Sequence, residues 1–224
     1  MTVSIIKPIY TLIAASLVAN TLMVKAAAAA PQIPAEVMAS YAQAIQGDTS
    51  STEKTFDLLT ALQKEHPRSA LINTVLGSTE TMMGRDAWTP WNKMEYVDKG
   101  LSRMDKAVKL LQADDHKETF EGTPVSLWVK TTVGCTFIEM PEMFHRLDAG
   151  YQLLENMIKS EEVKPLPFAM KAYAYFCAGK AASLAGEPEA AQRYLNTLLA
   201  NVPGSPQAIE AKALLAEIVD EKKL

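Results

Sequence analysis

The sequence predicts an all-α fold, and three observations predict it. Ala, Leu, Met, Lys and Glu dominate a chain with few aromatic residues, a composition that favours helix. Apolar residues recur at helical spacing in one segment after another, and Gly and Pro fall between those segments. Ala172 to Ser205 reads as a complete helix–turn–helix unit of about 34 residues, with a Gly-Glu-Pro turn at Gly186 to Pro188 and a closing Pro203. A unit of this kind cannot bury its apolar face alone, so neighbouring units are expected.

The elements follow in order. Pro31 and Pro34 disfavour helix and make an extended lead-in. Ala35 to Gln46 is a first helix carrying Val37, Met38, Tyr41, Ala44 and Ile45, and Gly47 to Ser51 is a turn. Thr52 is read as the N-cap of a helix that runs to about Glu65, where His66-Pro67 stops it. A second unit opens at Ser69, its first helix spanning Leu71 to Met83, with Val75-Leu76-Gly77 and a turn at Gly84. Its second helix is matched to Gly100-x-x-x-Met104-x-x-Ala107, which leaves about eleven surplus residues around Arg85 to Lys93, read as a loop insertion.

The third unit repeats these features. Thr132-Val133-Gly134 echoes Val75-Leu76-Gly77, and Phe144 to Leu154 with Gly150 echoes Met94 to Met104 with Gly100. Pro141 breaks a helical pattern that otherwise runs from Pro124 to Ala149, so the first helix of this unit is taken as Val125 to Met140. Ser160 to Pro167 is a connector, Phe168 to Leu184 opens the clearest unit, and Gln207 to Lys222 is a last amphipathic helix. The total is about nine or ten helices with negligible strand.

Within Ala172 to Ser205 the run Tyr175, Ala178, Gly179, Ala182, then Ala191-x-x-x-Leu195 and Pro203, resembles the tetratricopeptide repeat (TPR) family. The resemblance implies a TPR-like αα-hairpin solenoid with inserts in the middle repeats and a C-terminal capping helix. It also implies a concave groove, lined by the first helix of each pair, that binds a partner protein or an extended peptide. Polar positions read as outward on those helices give the groove candidates Asn73, Glu80, Lys130, Lys171 and Tyr175.

Met1 to Ala29 has the anatomy of a secretory signal peptide: one Lys near the start, an apolar run, and Ala-x-Ala sites ahead of Pro31. An uncleaved membrane anchor is the competing reading. Cleavage would leave a single domain over residues 30–224 in a periplasmic or secreted protein, with no membrane span. Loss of Lys7 and Lys25 would take the net charge from −4 to −6. A mildly acidic chain without a basic block argues against nucleic acid and anionic membrane surfaces as partners. Cys135 and Cys177 each lie near the Gly of their own unit, and are either a disulfide across adjacent units or two small buried thiols.

No catalytic constellation is present: the sequence contains neither His-Glu-x-x-His, Gly-x-Ser-x-Gly, nor a phosphate-binding Gly-rich loop. No cofactor or metal is expected, although Met140, Met143 and His145 gather soft ligands around the helix break. The surplus segment is the other candidate. Trp88, Trp91 and Arg85 are residue types enriched at binding hot spots, and Tyr96 follows them. The two indoles are read either as a partner contact or as plugs for a gap between helices. The expected function is a non-enzymatic adaptor or assembly factor of an envelope complex. The alternative is a small-molecule binder in which Trp88, Trp91 and Tyr96 form an aromatic lid.

Overall fold

The computed structural model describes residues 33–221. The expected signal peptide therefore lies outside the described residues. The fold is all-α, with helices α1 (Ala35–Ile45), α2 (Thr49–Glu65), α3 (Ala70–Asp86), α4 (Pro90–Leu110), α5 (Val125–Ile138), α6 (Leu147–Ile158), α7 (Phe168–Leu184), α8 (Pro188–Asn201) and α9 (Pro206–Glu221). One short hairpin pairs Thr119–Phe120 with Thr123–Pro124 ahead of α5. Its two-residue turn needs positive φ at both positions, which Glu121 (50°) and Gly122 (76°) supply.

Helices pack in sequential pairs, α1 with α2, α3 with α4, α5 with α6 and α7 with α8. The first helices of the pairs also touch in series, α1 to α3, α3 to α5, α5 to α7, and α7 to α9. A helix with neighbours on several sides is buried around its whole circumference, and any polar side chain there needs a partner. Every residue from Leu71 to Thr81 in α3 is accordingly buried. Two apolar clusters result. Leu59, Ile72, Leu76, Leu101, Met104 and Val133 centre the first, and Leu154, Met157, Ala178, Leu195, Leu198 and Ala211 the second. Helix α5 feeds both, Val129 and Val133 into one and Leu127 and Ile138 into the other.

The pairs close on small residues. A Cβ on Gly77 of α3 would stand 2.9 Å from the Gly100 carbonyl of α4, and a Cβ on Gly150 of α6 would stand 2.9 Å from the Gly134 carbonyl of α5. At Gly179 the space is taken by Leu195 of α8, at 2.6 Å. The Gly positions that define the sequence units are thus points of close approach within the α3–α4, α5–α6 and α7–α8 pairs. The Cys135–Cys177 disulfide, with Cα atoms 5.5 Å apart, ties α5 to α7.

Two boundaries differ from the sequence reading. Asp48, not Thr52, caps α2, its carboxylate accepting from the Ser50 and Ser51 amides. Thr52 lies a turn inside, its hydroxyl 2.9 Å from the Asp86 carboxylate. The surplus residues around Arg85 to Lys93 do not form a loop. Helix α3 continues to Asp86, only Ala87 to Thr89 intervene, and α4 starts at Pro90 and runs for 21 residues. Pro90 at the first helical position has its φ preset and no amide to leave unpaired. Val97, Leu101 and Met104 carry one apolar face along the helix against α3. The break at Pro141 is as read: α5 ends at Ile138, and a single 3-10 turn at Glu142–Phe144 precedes α6.

Candidate functional site: a methionine-lined groove

Beyond the contacts within each pair, one stripe of several helices remains to line a cleft. Four such stripes converge on one groove of about 1320 Å³. Helix α1 contributes Met38, Tyr41, Ala42 and Ile45, α3 contributes Ser78, Thr81, Met82 and Arg85, and α4 contributes Pro90, Lys93, Met94 and Val97. Each set has i, i+3, i+4, i+7 spacing, which is one face of a helix. Helix α5 adds Trp128, Thr132, Cys135 and Thr136, its C-cap Glu139 follows, and Tyr173 comes from α7.

Both departures from a regular 34-residue unit build walls. The lengthened start of α4 forms one side. The break at Pro141 redirects the chain so that Met140, Met143 and Phe144 form another. Five methionines therefore line one cleft, and thioether side chains repack readily around apolar surfaces of varied shape.

Part of the polar lining of the groove is committed within the protein. The Tyr41 hydroxyl donates to Ser78 Oγ at 2.9 Å, and burial raises its pKa to about 12. Thr81 donates to the Ser78 carbonyl. Arg85 pairs with Asp86 at 2.6 Å and reaches the Ala44 carbonyl at 3.1 Å, which ties the end of α1 to the end of α3. The guanidinium holds the Asp86 carboxyl below the usual range, with Thr52 assisting. Glu139 pairs with Lys180 at 2.6 Å. Lys93 and Glu121 have no salt bridge among the described residues, and the hydroxyls of Thr132 and Thr136 have no hydrogen-bond partner there.

The residues singled out from the sequence fall in different places. Arg85 lines the groove. Trp88 and Trp91 do not line it and plug no gap, being 95% and 70% exposed at the α3–α4 corner. Tyr96 is turned away, packed edge-on against Phe56 of α2 at 6.4 Å, so no three-residue aromatic lid forms over the groove.

The polar positions read as outward are largely inward. Glu80 is 0% exposed and takes two hydrogen bonds from Arg103, at 2.7 and 2.9 Å, so a carboxylate sits in the core because α4 supplies its counter-charge. Asn73 is buried at the start of α3, its amide donating to the Pro67 and Ser69 carbonyls. Lys171 is buried and donates to the Lys164 carbonyl at 2.9 Å, closing the connector before α7. Tyr175 packs between Phe168 and Tyr194, with ring centroids 4.7 and 6.1 Å away. Lys130 is half-buried on α5 and lies outside the groove lining.

The groove stripes of α1, α3 and α5 are what the sequence reading missed. Their signal is present but weak: short polar and Met residues, such as Ser78, Thr81, Met82, Thr132 and Thr136, recur at helical spacing. Among the described residues no group of three His, Cys, Asp or Glu side chains is placed to hold a metal ion. Met140 and Met143 line the groove while His145 does not. No described helix is long and apolar enough to cross a membrane. Compared with protein-family models, curated proteins and solved structures, the chain finds no match.

Proposed function

We propose that this chain is a non-enzymatic, exported helical-repeat protein of the TPR type, an αα-hairpin solenoid capped by α9. It acts as an adaptor or assembly factor of an envelope complex by receiving an apolar segment of a partner protein in its groove. The observation that carries the reading is the convergence of outward stripes from α1, α3, α4 and α5 on one Met-lined cleft. The serial packing of the first helices and the small residues at each pair crossing are what a stacked repeat requires. The Cys135–Cys177 disulfide fits an oxidising compartment and hence export.

The groove is wide for a small molecule. Its volume of about 1320 Å³ exceeds the roughly 300–1,000 Å³ of drug-sized sites. A crosslinking pull-down from the cell envelope tests the proposal, comparing wild type with a groove-plugging Thr136→Trp variant whose helicity is unchanged. Partners captured by wild type and lost in the plugged variant support it. Partners retained by the plugged variant, or no partner with either protein, count against it.

A further inference from the structure

The α3–α4 corner pairs an apolar knob with the adjacent groove. Trp88 and Trp91 are bare, and beside them Ile45 (49% exposed) and Met94 sit on the groove rim. The knob is held firmly: Arg85 fastens the end of α3 to Ala44 and Asp86, and Pro90 starts α4 directly behind it. Two exposed indoles three positions apart on one corner are an unusual surface to leave in water.

We infer that a second copy of this chain covers both features, each protomer inserting its Trp88–Trp91 corner into the groove of the other. Three points favour that occupant. Residues Ala87 to Asn92 are uncharged, so the corner itself carries no charge into the groove. An indole N–H needs an acceptor once buried, and Thr132 and Thr136, whose hydroxyls have no hydrogen-bond partner among the described residues, offer two on the groove face of α5.

Area is the third point. Two indoles bury roughly 150–250 Å² each, on the order of half of the roughly 800 Å² that each partner contributes to a stable interface, and the exposed rim residues Ile45, Met94 and Met143 add to it. The arrangement is reciprocal, hence closed by a two-fold axis. It goes beyond the proposed adaptor role, because it makes the dimer a resting state in which the groove is shielded until a partner displaces the indoles.

Sedimentation velocity of the purified protein over a range of concentrations tests this. Wild type is expected to dimerise. The Trp88→Ala/Trp91→Ala variant is expected to weaken the dimer at least about thirtyfold, the scale of losing a hot-spot anchor. Both residues are exposed, so folding survives the change, which circular dichroism verifies. Thr136→Trp, which fills the groove, and Met94→Glu, which places a charge on its rim without touching the core, should each weaken the dimer as well.

Mixing the double-alanine variant with the plugged one should restore part of the dimer, because one knob and one groove remain compatible. A monomeric wild type overturns the inference, and so does a dimer that survives loss of both indoles. A dimer sensitive to Trp88 and Trp91 but indifferent to Thr136→Trp and Met94→Glu also overturns it, since the indoles would then stack on each other. A monomeric wild type that still captures envelope partners through its groove would leave the adaptor reading standing.

Discussion

The Gly77 carbonyl oxygen stands 2.5 Å from the point a Cβ on Gly100 would occupy, so α3 and α4 cross with backbone against backbone. Because the contact is with backbone rather than the end of a flexible side chain, nothing nearby can yield. Gly100→Ala gains helix propensity but must push the helices apart, and a net loss of about 1–3 kcal/mol is expected. Gly204→Ala, where a Cβ meets nothing within 4 Å, is the control and should change stability by less than about 0.5 kcal/mol. Chemical denaturation of the two variants checks the contrast.

The disulfide closes a loop with a sequence separation of 42 residues, for which chain entropy alone gives about 4 kcal/mol. Reduction, or Cys135→Ser with Cys177→Ser, is expected to lower Tm by many degrees. It should also loosen the groove, since Cys135 and Tyr173 line it from the two helices the bond joins. Thermal melts with and without reductant measure the first effect, and hydrogen exchange in α5 and α7 the second.

Much of this fold was legible. The unit from Ala172 to Ser205, the small residues at Gly77, Gly134 and Gly179, and the break at Pro141 were all readable because each is a local steric requirement written in adjacent residues. The placement of the α3–α4 connection was not. A surplus over a fixed repeat length has no local signature that says loop or longer helix, and the deciding term is the burial of Val97 and Leu101 against α3. Glu80 was misplaced for a similar reason. A carboxylate reads as exposed unless its counter-charge is known, and Arg103 is 23 positions away on another helix. The groove itself depends on which helix faces remain uncovered after packing, which no single segment encodes.

The Glu80–Arg103 pair is expected to behave as a buried ion pair. Arg103→Ala leaves a fully buried carboxylate without its main partner, Lys99 being 3.9 Å away, and should cost about 3–5 kcal/mol. Replacing both residues by Leu and Met should recover most of that loss, because the desolvation cost of two charges goes with them. Urea denaturation of the single and double variants separates the cases.

Asp86 links stability to pH. Its carboxyl is held below the usual range, first by the Arg85 hydrogen bond, so it contributes stability above its unfolded value of about 4, and that stability is lost as pH falls through the lower folded value. Asp86→Asn should therefore lower stability near neutral pH and flatten the acid limb of a Tm-against-pH curve. An acid limb identical to wild type would show that the pair with Arg85 contributes nothing.

The groove as the protein-binding surface is best tested by placing a photo-crosslinking amino acid at Thr136 on the groove floor and, separately, at the exposed Asn196 on α8. The account predicts protein adducts from position 136, to a second copy in the purified protein and to a different partner in the cell envelope, with none specific to position 196. Adducts from position 196 alone, or a position 136 that labels no protein in either setting, would contradict it.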